Sequence, residues 1–292
     1  MKYRHIQEVR AAHPSQDGDG VAIHRVAGMR HAAMDPILMI DELRSQNRTD
    51  FGGGFPAHPH RGMQTLTYLK QGGIIHEDNL GNRGEIRGGG AQWMSAGRGI
   101  IHSEMPTSDT DGLHGFQLWV NLARRDKMSA PQYRDMSMQE LTHAKGNGWQ
   151  ATAIAGSWHI AITGDDGESL RGPLNELAQR ASILDLSLQP DTVVELRVPD
   201  SESVLGYIYD GSVLHAGSDI GFQRLLVTGR GDTWRLQAGT QGASLLVMRG
   251  EPLAEPVAHY GPFVMNTPAE IEQALREYQA GTFVTSEPMP GM

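Results

Sequence analysis

Residues 55–73 read FPAHPHRGMQTLTYLKQGG. Two histidines, His58 and His60, stand one residue apart, ahead of a strand-like run that closes on two glycines. In an extended strand residues i and i+2 project to the same face, so His58 and His60 point together. Some forty residues later the chain reads GIIHSE (99–104), and His102 and Glu104 repeat the spacing. One His-x-His pair alone reads first as two surface or turn histidines. A second pair on a later strand favours a shared metal site. If the two strands are neighbours, three imidazole nitrogens and one carboxylate oxygen converge.

Working outward, the flanking sequence has the rhythm of short strands. QDGDG (16–20) is a turn signal before VAIHRVAG, and PILMIDEL (36–43) is a compact apolar run. Three glycines at 52–54 predict a loop before the histidines become extended. From 63 to 122, and again after 150, strand-like runs recur about every ten residues with glycine-rich turns between them, which predicts a sandwich or barrel. The two halves are alike in style, with no residue-level repeat. ARRDKMSAPQYRDMSMQEL (123–141) is polar, contains Pro131 and reads as the linker between domains. One helix is expected near the end. Thr267 stands at its N-cap, Pro268 at N1 and Glu270 at N3, a capping box with proline in its favoured place. Ile271, Ala274, Leu275 and Tyr278 form its apolar stripe, and Gly281 suits the position just past its end.

Composition limits the chemistry. The 292 residues suggest about two domains, and 39% hydrophobic with 20% charged residues is an ordinary globular balance. The formal net charge is −9, and no Lys/Arg run of five or more occurs, which speaks against direct nucleic-acid binding. There are no cysteines, so any metal must be held by His, Asp or Glu, and the 13 histidines become the residues to examine. The first twenty residues lack the apolar core of a secretory signal and no stretch of 18 apolar residues occurs, so a cytoplasmic protein without membrane contact is expected. A monomer is the expected state. A three-nitrogen, one-oxygen donor set suits zinc, iron(II), manganese, nickel or copper. On an octahedral ion it leaves two open positions, which suits substrate and dioxygen and favours iron over a closed structural zinc.

Residues 55–73, HEDNLGNRG (76–84) and QWMSAGRGIIHSEMP (92–106) together resemble the signature of the pirin family of the cupin superfamily, and residues 250–283 resemble that family's C-terminal segment. The resemblance implies an all-β fold: two antiparallel β-barrel (cupin) domains in tandem with a short C-terminal helix. Residues 1–130 would form the metal-binding domain and 131–292 a second domain without a metal site. The implied ligands are His58, His60, His102 and Glu104, holding Fe(II), with Mn, Ni, Cu, Co or Zn also compatible. Cupins usually carry a glutamate a few residues after His-x-His; Gln64 stands there instead, a change expected to alter hydrogen bonding rather than ligation. His215 and His259 stand alone, and His259 is expected to be a packing or interdomain residue. His76 is expected in a turn, and Arg61 and Arg98 in solvated or strand-edge positions. Phe51, Phe55, Trp93 and Met94 read as barrel core ahead of pocket wall.

The implied activity is that of a quercetin 2,3-dioxygenase: a flavonol ring is opened with O2 and carbon monoxide is released. Glu104 would be the catalytic residue, taking the substrate's hydroxyl proton. The alternative implied by the family is a non-enzymatic, iron-containing redox-responsive regulator that acts through a protein partner.

Overall fold

The computed structural model describes residues 1–162 and 166–284. The fold is all-β with one short C-terminal helix, Pro268–Gln279. The described chain divides into two compact units, and neither is continuous. One comprises Pro14–Arg30, Leu38–Met138 and Ala254–Met292; the other comprises Met1–His13, His31–Ile37 and Gln139–Leu253. A single cut at 130/131 therefore does not describe the division. The reason is pairing: the strand Ile6–Ala11 lies antiparallel to Arg224–Thr228, so the beginning of the chain completes a sheet built from its second half.

The unit that carries the histidines has a seven-stranded and a four-stranded antiparallel sheet. The larger runs in the order Gln132–Met136, Ala91–Ser95, Met63–Gln71, Leu113–Asn121, Ile37–Ser45, Val21–Ala27, His13–Asp17. The smaller runs Phe55–His60, Ile100–Pro106, Gly73–Asp78, Arg83–Arg87. Both are open paths rather than closed rings, so the barrel expectation is met as two sheets and not as a continuous cylinder. Between them lie two apolar clusters. One contains Val21, Leu43, Phe51, Leu69 and Ile86; the other contains Leu38, Met63, Met94, Ile100 and Val264. Phe51, Trp93 and Met94 are thus core, as their apolar character suggested.

The polar segment after residue 122 is not a linker throughout. Gln132–Met136 pairs along its length with Ala91–Ser95 and forms an edge of the seven-stranded sheet. An edge strand tolerates polar residues because one of its sides faces no partner, and that is why its composition resembled a connection.

The other unit centres on one large apolar cluster under an eleven-stranded sheet, with Trp158, Leu186, Ile208, Trp234 and Leu245 among its buried members. Charge enters near its edge, where Arg249 bonds Glu202 and its guanidinium lies 4.9 Å over the Trp158 ring.

The C-terminal helix forms as its sequence predicts. Thr267 Oγ1 accepts the Glu270 N–H at 3.3 Å, and Glu270 Oε2 accepts the Thr267 N–H at 2.8 Å. Gly281 takes φ +71°, which fits a left-handed cap. Ile271 and Ala274 are buried against Phe263, Met265 and Phe283. No helix among the described residues is long and apolar enough to cross a membrane.

Candidate metal centre

The strands Phe55–His60 and Ile100–Pro106 are antiparallel neighbours, with His102 opposite His58 and Ile100 opposite His60. The period-two argument therefore brings His58, His60 and His102 to one place. Ring centroids are 4.8 Å apart for His58 and His60, 4.5 Å for His58 and His102, and 5.0 Å for His60 and His102. One nitrogen from each ring lies within 4.8 Å of the others.

Hydrogen-bond accounting leaves donors free in the right place. His58 Nδ1 bonds the Pro56 carbonyl at 2.8 Å, which leaves its Nε2 available. His102 Nε2 and both ring nitrogens of His60 are buried without a hydrogen-bond partner. Buried polar atoms are normally paired, so orphaned nitrogens on two adjacent imidazoles call for an explanation. Burial pushes the His60 pKa well below the ordinary histidine range, and the neighbouring His58 pushes it the same way; the Pro262 carbonyl pulls upward but lies outside hydrogen-bond geometry. His102 is lowered by burial first, then by His60, His58 and His76. Neutral imidazoles with bare nitrogens are what a divalent cation requires. The donor set fits a first-row divalent ion.

Glu104 follows on the same strand as His102 and is not among the three side chains whose ligand atoms lie within 4.8 Å of one another. The strand pairing slips between His102 and Glu104, so Glu104 stands opposite Phe55. Its carboxylate contacts the facing sheet: Oε1 lies 2.9 Å from Thr67 Oγ1, and Oε2 accepts Gln117 Nε2 at 2.9 Å. Thr67 Oγ1 is also 2.5 Å from Gln117 Oε1. A hydroxyl has one hydrogen, so Thr67 cannot donate to both oxygens at once. The three side chains form a closed ring of contacts around the single Thr67 hydroxyl hydrogen. Gln64 is not part of the ring. It reaches Ser95 Oγ at 3.4 Å and, by strand alternation, lies on the opposite face from Thr65 and Thr67.

Three expectations from sequence are corrected. His76 is not in a turn: it sits in the strand Gly73–Asp78, fully buried, with its Nδ1 3.2 Å from His102 Nδ1. The clue was HED itself, because His76 and Asp78 repeat the i, i+2 spacing of the other two pairs. Arg61 is not solvated but 3% exposed. It donates to the Arg98 and Phe283 carbonyls, pairs with Glu277 at 2.6 Å, and lies 4.4 Å over the Phe283 ring. It thereby ties the end of the histidine strand to the C-terminal helix. His259 is exposed and lines the cavity above the site. Arg98 is half-buried.

Lys127 carried no signal in the sequence. It is 1% exposed and donates to the Gly62 carbonyl at 2.7 Å, Asn121 Oδ1 at 2.7 Å and the Val264 carbonyl at 3.0 Å. Burial lowers its pKa from 10.5 to about 8, against an upward pull from Glu255 and Glu270. Gly62 lets the chains approach this closely. It takes φ +78°, and a Cβ there would lie 2.0 Å from the Val264 carbonyl oxygen.

A cavity of about 780 Å³ opens over His58 and His60. Met29, Met39, Phe55 and Trp119 supply apolar wall, and the Trp119 ring stands edge-on to His60 at 5.3 Å. Phe55 is thus both wall and packing, since it also leans on the Phe51 cluster. A polar side is formed by Arg25, which grips both Asp41 oxygens at 2.7 and 2.6 Å and reaches Asp17 at 2.5 Å.

The family model described as Pirin matches residues 20–120, and the one described as Pirin C-terminal cupin domain matches residues 183–284. The chain belongs to the pirin family. This pirin is 42% identical over 286 residues to the Vibrio cholerae protein named "Putative quercetin 2,3-dioxygenase", with 97% of this chain and 99% of that one covered. It is 39% identical to a pirin-like protein of Caulobacter vibrioides, covering 97% and 100%. The crystal structure of a quercetin 2,3-dioxygenase from Acinetobacter baumannii matches with a TM-score of 0.84 at 26% identity, over 98% of this chain and 100% of that one. An Escherichia coli pirin described in complex with nickel(II) shares the fold, with a TM-score of 0.60 at 19% identity and coverage of 84% and 99%.

Proposed function

We propose that this pirin is a metal-dependent dioxygenase that opens a flavonol such as quercetin with O2 and releases carbon monoxide. The observation that supports it is the group of orphaned imidazole nitrogens on His60 and His102, beside His58, where His58 and His60 line a cavity with apolar and polar walls. His58, His60 and His102 would hold the ion, with Glu104 as a fourth donor, and iron(II) is the preferred occupant. Such an ion supplies Lewis acidity and one-electron chemistry when bound.

The rest belongs to the side chains. A cavity of this size accepts a ligand of several rings. Trp119, Phe55, Met29 and Met39 exclude water from the aromatic faces, while the Arg25 group and His259 offer polar contacts to its hydroxyls. Glu104 is the base. Its carboxylate takes the flavonol hydroxyl proton, held in place by the Thr67 hydroxyl at Oε1 and by Gln117 Nε2, which donates to Oε2. The base is thus positioned before the proton arrives.

The test is oxygen uptake and loss of flavonol absorbance with the iron(II)-loaded protein, beside Glu104→Ala. Metal-dependent turnover that the variant loses supports the enzyme. Iron bound at one per chain with no turnover on several flavonols overturns it in favour of a redox-responsive regulator that acts through protein contacts.

A further inference from the structure

The strand Gly73–Asp78 supplies a third i, i+2 pair to the site. His76 lies opposite Glu104, and Asp78 lies opposite His102. Both side chains are completely enclosed. His76 Nε2 is 3.2 Å from Asp78 Oδ2, and His76 Nδ1 is 3.2 Å from His102 Nδ1. Asp78 is itself clamped. Its Oδ1 accepts the backbone N–H groups of Leu80 at 2.9 Å and Asn82 at 3.0 Å, and its Oδ2 accepts Asn82 Nδ2 at 2.8 Å. The Tyr133 ring stacks on His76 with centroids 4.3 Å apart and planes at 25°.

We propose that Asp78 and His76 form a relay that fixes the tautomer of His102 and leaves its Nε2 lone pair bare toward His58 and His60. The inference rests on the metal reading of those three histidines. Proton placement follows from the far end. Asp78 accepts at both oxygens from Leu80, Asn82 and the Asn82 side chain, so it is the acceptor toward His76 as well, and a single ring hydrogen on His76 lies on Nε2. Its Nδ1 is then a lone pair. The contact between the two Nδ1 atoms needs one hydrogen, and only His102 can supply it. His102 is therefore the Nδ1–H tautomer, and its Nε2, buried and without a hydrogen-bond partner, is free to bind an ion. A histidine ligand whose second nitrogen is held in this way is oriented and made more basic. His76 touches neither ion nor substrate, so it is a positioning residue.

Asp78→Asn makes the sharpest test. Two backbone N–H groups claim the Oδ1 position, so the carbonyl oxygen of an asparagine stays there, its NH2 faces His76 Nε2, and the Asn82 amide turns its oxygen toward that NH2. His76 then accepts at Nε2 and donates from Nδ1, which forces His102 to carry its hydrogen on Nε2, where it blocks the ion. His76→Phe keeps a ring beneath Tyr133 but cuts the relay.

The full-length protein, labelled with ¹⁵N-histidine and stripped of metal, reports the tautomers by ring ¹⁵N shifts. Nickel(II) affinity is measured by chelator competition. The expected parent has His76 as Nε2–H and His102 as Nδ1–H. D78N is expected to reverse both, and D78N and H76F to weaken nickel(II) about 10- to 100-fold. A parent with His102 as Nε2–H, or a folded D78N that binds nickel(II) within two-fold of the parent, overturns the relay. The parent spectrum needs no variant, so a D78N that fails to fold does not remove the test. A parent with the expected tautomers that binds no first-row divalent metal supports the relay and overturns the metal reading instead.

Discussion

At the scale of single residues, Glu104 and Lys127 show how burial decides what a charge does. Glu104 is 2% exposed, and its carboxylate meets the Thr67 and Gln117 side chains of the facing sheet. If it is the base, Glu104→Gln removes the acceptor while keeping the shape. Turnover should fall roughly 10²- to 10⁴-fold, the usual worth of a general base. Steady-state oxygen uptake checks this, and an unchanged kcat would remove Glu104 from that role. Thr67→Val should lower kcat without abolishing nickel(II) binding, because it removes one of the two side chains that hold the Glu104 carboxylate and leaves all three imidazoles in place. Lys127 answers to pH. With a folded pKa of about 8 against 10.5, both states hold the proton below pH 8, and the cost of the buried charge is then fully present. Between about 8 and 10.5 the unfolded chain binds more protons, so stability rises with pH by up to about 1.4 kcal/mol per unit. Lys127→Met cannot titrate. Urea denaturation at pH 8 and pH 10 should show the parent gaining on the variant. A difference that stays flat with pH would show that the ammonium keeps its proton through this range.

At the scale of elements, the C-terminal helix is joined to the histidine strand through one side chain. Arg61 follows His60 directly and reaches Glu277 on the helix and the Phe283 carbonyl beyond it. Arg61→Ala strands buried carbonyl groups and a carboxylate, and should cost about 3 kcal/mol, toward the lower end for a broken buried pair because Glu277 is 27% exposed. Arg61→Lys should recover only part of it, since an ammonium cannot fork between carbonyl and carboxylate. Thr267→Ala removes one cap and should cost about 1 kcal/mol. Both are read by chemical denaturation, and a loss for Arg61→Ala no larger than that for Thr267→Ala would show that the tie carries little.

At the scale of the whole molecule, neither unit is a continuous segment. Ala254–Met292 returns to the unit of the histidines, and Met1–His13 belongs with Gln139–Leu253. Fragments cut at 130/131 each lack part of their own unit. The first loses the edge strand Gln132–Met136 and the hairpin and helix that pack on Arg61; the second loses the strand Ile6–Ala11. Expressed alone, both should show broad, non-cooperative thermal unfolding and rapid proteolysis. A sharp transition in either fragment would mean that the returning segments are dispensable.

The sequence by itself determined what short-range geometry controls. The strand period of two placed His58 with His60 and His102 with Glu104, and the cap residues placed the helix at Thr267. The same period held His76 and Asp78, but a single histidine in a polar stretch gave no reason to expect burial. Only the tertiary structure decided which strands became neighbours, and with them which charges were enclosed. Arg61 meets Glu277 and Phe283, and Lys127 meets Val264, across separations of more than a hundred residues. Burial of a cation is set by such distant partners rather than by its neighbours in the chain. It was also the facing sheet that supplied Thr67 and Gln117 as the partners of the Glu104 carboxylate.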